Sequence, residues 1–224
     1  MTNARIAAAI SAGVATLGQE LPEGAIDKLA QLLAELERWN RRHNLTAIRE
    51  PAAMVAGHIL DSLAVRPMLE GDRILDVGTG AGFPGLPLAI AEPGSSFSLL
   101  DSNSRKISFV RHMQGELGLS NVAAINARSE DYAPADRFDT VIARALASIP
   151  KILKLAGHLV REDGVLLALK GKHPAGELQS ARELSGWEYQ VTEMTVPGLE
   201  THARHVVRLC RSNVDGARRE SKPS

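Results

Sequence analysis

The sequence predicts an α/β protein: a mostly parallel sheet of seven strands, closed by a terminal antiparallel hairpin and preceded by an N-terminal helical cap. Three observations carry that reading. From Arg73 onward, short apolar runs alternate with amphipathic stretches, the pattern of strands joined by crossover helices and buried on both faces. Between the first run and the first of those helices stands a loop with glycine at 78, 80 and 82. The last two apolar runs have only a short connection between them, so they pair antiparallel.

The elements follow in order. Residues 4 to 18 place Ile6, Ile10, Val14 and Leu17 on one helical face, and residues 24 to 39 do the same with Ile26, Leu29, Leu33, Leu36 and Trp39. A polar segment from Asn40 to Glu50 separates this pair from a third helix, which Pro51 opens at its first position and which ends near Pro67. Parallel strands are expected at Ile74–Val77, Phe97–Leu100, Val122–Ile125, Thr140–Ala143 and Val165–Leu169. Helices are expected at Pro84–Ala91, Ser104–Leu117, Ile149–Val160 and Ala175–Leu184, and the closing strands at Glu188–Val196 and His205–Cys210. The organisation expected is a cap with a polar loop over 1–69, the α/β domain over 70–211, and a tail over 212–224 that lacks periodicity and is expected to be disordered.

Composition narrows the classes. The 224 residues suit one medium domain, 44% of them hydrophobic and only 4% aromatic, so the core is mainly Leu, Ile, Val and Ala. A single cysteine, Cys210, excludes an internal disulfide and a cysteine-rich zinc site, and its place in the last strand suggests a buried structural residue. No apolar run is long enough to span a bilayer, and the first residues lead into no signal-peptide pattern. A cytoplasmic protein without membrane or metal partners, acting as a monomer, is therefore expected. The 26 basic and 26 acidic residues balance, so any nucleic-acid surface must come from local clusters. One such cluster is Arg38, Arg41, Arg42, His43 and Arg49, before the α/β domain; others lie at Lys170–His173 and His202–Arg208. For any one of them taken alone, a solvated surface is the simpler reading.

The stretch Ile74-Leu75-Asp76-Val77-Gly78-Thr79-Gly80-Ala81-Gly82 is an apolar strand, an acid and alternate glycines, a loop that lets a ligand approach the backbone closely. Nineteen residues beyond Gly82, the second strand ends on Asp101, a carboxylate placed to accept ribose hydroxyls. Residues 80–85 also spell GxGxxG, the dinucleotide fingerprint. Asp76 argues against a pyrophosphate beside it and for a ligand carrying an ammonium and a sulfonium, such as S-adenosylmethionine. The spelling D-x-G-x-G-x-G over Asp76, Gly78, Gly80 and Gly82 resembles motif I of class I S-adenosylmethionine-dependent methyltransferases, which have a Rossmann-like, seven-stranded sheet of the kind expected here. Ser129 and Glu130, just past the third strand, fall where the adenine edge would lie.

Catalytic groups gather at the carboxyl ends of such strands. After the fourth strand the chain reads Ile142-Ala143-Arg144-Ala145, without the Pro-Pro-aromatic motif of adenine amino-methyltransferases, and no cysteine stands there to act as a cytosine-C5 nucleophile. Guanine N7 needs neither, since its in-plane lone pair attacks without losing a proton. An intrinsically nucleophilic small molecule would leave the same silence.

The segments Trp39-Asn40-Arg41-Arg42-His43-Asn44-Leu45-Thr46, His58-Ile59-Leu60-Asp61-Ser62, Asp76 to Gly85, Ile142-Ala143-Arg144-Ala145 and Ala168-Leu169-Lys170-Gly171 resemble, in order, the bacterial 16S ribosomal RNA guanine-N7 methyltransferase G family, also called glucose-inhibited division protein B. The similarity spans residues 38 to 211. It implies methyl transfer from S-adenosylmethionine to N7 of one guanine in the decoding-region (530) loop of 16S ribosomal RNA, as naked RNA or within the small subunit. It also implies cofactor contacts at Gly78, Phe83, Ser129, Glu130 and Arg144. Arg144 and Lys170 are expected to organise the reacting pair, with a structural ion pair as the competing reading. Arg41, Arg42, Asn44, Thr46 and His58 are expected to face RNA, although Asn44 and Thr46 also suit a turn cap and His58 a helix contact. Phe83 suits either adenine packing or the core. Outside the family, the same residues allow a small-molecule methyltransferase, a dinucleotide oxidoreductase or a silent RNA-binding module.

Overall fold

The computed structural model describes residues 2–181 and 186–212. The expected end of the 175–184 helix and, apart from Ser212, the expected tail fall outside them.

The cap comprises α1 (Asn3–Thr16), α2 (Ala25–His43), α3 (Pro51–Met54) and α4 (Asp61–Leu63). The α/β part follows as β1 (Arg73–Val77), α5 (Gly85–Ala91), β2 (Ser96–Asp101), α6 (Ser104–Glu116), β3 (Val122–Asn126), β4 (Phe138–Arg144), α7 (Ile149–Ala156), β5 (Val160–Lys170), α8 (Ala175–Ala181), β6 (Trp187–Glu193) and β7 (His205–Arg211). The strands form one sheet in the order β3-β2-β1-β4-β5-β7-β6. The first five are parallel, and β7 runs antiparallel to both β5 and β6. Chain order reverses between β1 and β4, the switch point where such sheets open a crevice beyond their carboxyl ends.

Side-chain alternation splits the sheet into two apolar faces. Ile74, Phe97, Leu99, Ile142 and Leu167 share one cluster with α5, α6 and the cap residues Ile10, Leu29 and Leu36, so cap and sheet have a continuous core. Leu75, Val77, Val141, Leu166 and Ala168 face the other way, against Ile149, Ile152 and Leu178 of α7 and α8.

Five expectations shift. Helix α2 runs on to His43, so Arg41 and Arg42 stand in its last turn and not in a polar loop. Asn40 is buried on its inner face, Glu37 pairs with Arg41 at 2.9 Å, and Asn44 ends the helix with φ 48. The third helix is interrupted: α3 passes through a π-helical segment, Val55–Leu60, into α4. Strand β5 begins at Val160, where a helix end was expected, and β6 stops at Glu193. Cys210 is half-buried and pairs with Val165, in the middle of β5 and away from its Lys170 end.

Candidate active site

The register brings four strand ends level. Val77 is aligned with Leu100 on one side and Ala143 on the other, and Arg144 with Leu169, so Gly78, Asp101, Arg144 and Lys170 stand along one edge.

Beneath the glycine loop lies Asp76, 1% exposed. Its Oδ2 accepts hydrogen bonds from the Thr79 hydroxyl at 2.6 Å and the Gly85 amide at 2.8 Å, while Oδ1 has no partner among the described residues. Burial pushes its carboxyl up to about 6, against those two bonds, which favour the charged form. Asp76 thus shapes the loop from below and does not line the cavity above it. The amides of Gly78 and Thr79 both donate to the Leu100 carbonyl, at 2.8 and 3.0 Å. Gly78 has φ 69, and a side chain there would press on Leu146. Gly80 has φ 63 and only Lys106 Nζ and the Gly78 carbonyl near where a Cβ would stand, whereas Gly82 packs against Leu86 and serves the start of α5. Asp101 accepts from the Gly80 amide at 2.9 Å through Oδ2 and from the Asn103 amide at 2.8 Å through Oδ1.

Above the loop opens a cavity of about 550 Å³, lined on one side by Gly78–Ala81 and Phe83 and on the other by Thr46, His58, Asp61, Arg144, Lys170 and Arg204. The second wall is a polar network. Asp61, almost fully buried, accepts from Arg144 at 3.2 Å through Oδ2 and from Arg204 Nε at 2.9 Å through Oδ1. Arg144 also donates to the Gly57 carbonyl at 3.2 Å, in the π-helical segment. The His58 ring stacks on Phe83 with centroids 4.6 Å apart, and its Nε2 lies 2.9 Å from the Thr46 hydroxyl. Burial, with a smaller push from Arg144, lowers His58 to about 4, so it is neutral at physiological pH. Thr46 is fixed in turn by Asn40, whose amide bonds both the Thr46 carbonyl (3.0 Å) and the Thr46 amide (2.9 Å). Lys170 donates to the Ala147 carbonyl at 2.7 Å and to Glu177 at 2.8 Å, tying down the segment after β4, in which Ala145 has φ 51.

The structure therefore brings Gly78, Gly80, Phe83, Arg144, Lys170, Thr46 and His58 to one cavity, with Asp101 beside it. Ser129 and Glu130 form an exposed turn past β3, on the same edge but outside the cavity wall. Asn44 caps α2 and accepts from Arg49 at 3.3 Å. Arg41 and Arg42 line a separate surface hollow with Arg38, Trp39 and His43. Sequence reasoning did not assign Asp61, Arg204, Asn40 or Lys106 to the site. Its one usable signal was Asp61 lying one turn beyond His58. Among the described residues no group of His, Cys, Asp and Glu is arranged to hold a metal ion, and no helix is long and apolar enough to cross a membrane.

Known proteins align with this architecture. Residues 25–207 match the sequence family described as rRNA small subunit methyltransferase G. Ribosomal RNA small subunit methyltransferase G of Alkalilimnicola ehrlichii is 47% identical over 85% of this chain and 86% of its own length. The protein of the same name from Idiomarina loihiensis is 46% identical over 84% of this chain and 90% of its own. Among solved structures, the O-methyltransferase TomG of Streptomyces achromogenes in complex with SAM superposes with TM-score 0.57 at 16% identity, over 90% of this chain and 96% of that one. A SAM-dependent methyltransferase from Aquifex aeolicus gives TM-score 0.55 at 18% identity, over 80% of this chain and 97% of that one. At such identities the structural likeness establishes the fold.

Proposed function

This chain belongs to the rRNA small subunit methyltransferase G family, and we propose that it methylates N7 of one guanine in the decoding-region (530) loop of 16S ribosomal RNA, in the cytoplasm. Family membership makes it an S-adenosylmethionine-dependent methyltransferase of ribosomal RNA, which replaces the dinucleotide, small-molecule and silent-binding readings. The observation that carries the finer reading is a glycine cradle facing an anchored arginine pair across one cavity, whose lining histidine, His58, is a weak base lowered to about 4.

The residues present fit the cofactor. Gly78 and Gly80 leave backbone open to an approaching nucleoside, Asp101 offers acceptors for ribose hydroxyls, and Asp76, buried beneath the loop, places a carboxyl there whose charged form favours a cationic ligand above it. S-adenosylmethionine supplies an electrophilic methyl group on a sulfonium. Ser129 and Glu130 would meet the adenine edge, and Phe83, backed by His58, would border it.

On the opposite wall Arg144 is tethered to Asp61 and to the Gly57 carbonyl. That anchoring matters for N7 chemistry. The base becomes cationic as the methyl arrives, so a cation free to lean on N7 would oppose the transition state. Held back, the guanidinium can meet guanine O6 or a phosphate and leave N7 open. Lys170, bonded to Ala147 and Glu177, fixes the segment behind Arg144. His58, lowered to about 4, is a weak base and its Nε2 already lies against the Thr46 hydroxyl, which suits a site that removes no proton. Arg41 and Arg42, outside the cavity, would hold phosphates of the surrounding RNA.

Purified protein, small-subunit RNA and methyl-labelled S-adenosylmethionine, followed by digestion to nucleosides, test the proposal. Label in 7-methylguanosine is expected; label in any other nucleoside overturns it.

A further inference from the structure

Four cationic side chains line the cavity: Lys106, Arg144, Lys170 and Arg204. Three are committed, Arg144 and Arg204 to Asp61 and Lys170 to Glu177. Lys106, in the first turn of α6, has no side-chain hydrogen bond or ion pair among the described residues, although it is half-buried. Its Nζ lies over the glycine loop, 3.9 Å from where a Cβ on Gly80 would stand.

An uncommitted ammonium in that place answers a specific electrostatic need. The loop already holds two carboxylic acids, Asp76 below it and Asp101 at its side. They suit the ammonium and sulfonium of S-adenosylmethionine but repel its single anionic group, the carboxylate of its amino-acid part. A cation next to the loop offsets that repulsion; Lys170 is paired with Glu177, and Arg144 and Arg204 are both tied to Asp61, which leaves Lys106 as the cation beside Gly80 with no partner among the described residues. We propose that Lys106 is a cofactor-binding residue whose Nζ forms an ion pair with the amino-acid carboxylate of S-adenosylmethionine. The inference rests on the cofactor reading above and assigns it a contact outside the glycine motif. A phosphate of the RNA is the other anion an ammonium there can pair with; the half-burial of Lys106 against the loop, in the cavity wall, favours the carboxylate.

The test compares two ligands that differ in this group. S-adenosylhomocysteine carries the amino-acid carboxylate; 5′-methylthioadenosine keeps the adenine, ribose and sulfur and lacks it. By calorimetry, Lys106→Gln should weaken S-adenosylhomocysteine about tenfold, as for a charge-assisted hydrogen bond at a partly exposed site. It should leave 5′-methylthioadenosine within twofold, and Lys106→Arg should restore most of the first affinity. Equal losses for both ligands would mean a distorted loop, and no loss for either would mean no contact; each overturns the proposal. A loss confined to RNA affinity overturns it in favour of a phosphate contact. Failure of the unaltered protein to bind either ligand is a distinct result, which removes the cofactor reading together with this one.

Discussion

The glycine-loop wall of the cavity is assembled from residues close in sequence, whereas the opposite wall joins Thr46, His58, Asp61, Arg144 and Arg204. On the first, Asp76 reaches Thr79 and Gly85, three and nine residues away, and Asp101 reaches Gly80, 21 away. On the second, Asp61 gathers partners 83 and 143 residues away. One wall is a local device that a strand, a turn and a helix form wherever they occur in this order. The other exists only when the cap, the end of β4 and the β6–β7 connection are all in place. Cofactor binding should therefore tolerate damage to the long-range wall, and methyl transfer should not.

The largest effect is expected at Asp61. Asp61→Asn keeps the shape but removes the charge that gathers Arg144 and Arg204. Single-turnover methylation at saturating cofactor and RNA should fall about a hundredfold or more, as when a positioned transition-state contact is lost. Calorimetric affinity for S-adenosylhomocysteine should stay within a few-fold. Parallel loss of both would break the division between the walls.

Next comes Asp101→Ala, on the local wall. It removes the acceptor meant for ribose and releases the Gly80 amide. Cofactor affinity should drop about ten- to a hundredfold, with little change in RNA affinity, measured by the same calorimetry and by filter binding.

A smaller effect sharpens the role of Asp76. Its carboxyl titrates near 6 in the free protein because burial disfavours the charge. A bound ammonium or sulfonium favours the carboxylate, so binding lowers this pKa and expels a proton. Affinity should then rise with pH through about 6 and level off above it, a gain of up to about tenfold between pH 5 and pH 7.5. His58, held near 4, stays mostly neutral across that window. Asp76→Asn should flatten the profile; an unchanged slope in that variant would assign the proton elsewhere.

The legibility of the sequence follows the same division. The alternating apolar runs gave all seven strands, and the loop over Asp76–Gly82 with Asp101 was readable because it depends on neighbours in the chain. Asp61 and Arg204 were not, since nothing local marks a carboxylate that will bridge two arginines 83 and 143 residues further along the chain. Arg204 looked like one more basic residue in a terminal cluster, and Asn40 like the start of a polar loop. Asn40 is instead the buried end of α2 that clamps Thr46. The π-helical segment escaped notice for a related reason: periodicity shows one helix from Pro51 to near Pro67, and the widened turn becomes visible only with Gly57 against Ile48 and its carbonyl turned to Arg144.

The smallest expected effect lies outside both walls. Arg41→Ala combined with Arg42→Ala should leave cofactor affinity and single-turnover rate unchanged. It should weaken RNA binding and flatten the dependence of log affinity on log salt by up to about two units, one for each lost phosphate contact. Arg42 is expected to give the larger share, because Arg41 already pairs with Glu37.

The most direct test of the whole account is the modification itself. Small-subunit RNA from cells lacking this protein, from cells restored with it, and from cells restored with Arg144→Ala should be mapped for 7-methylguanosine at single-nucleotide resolution. One decoding-region guanine should carry the methyl group only with the unaltered chain. Unchanged modification in its absence, or a methyl group that depends on it at a ring position other than N7, would contradict the account.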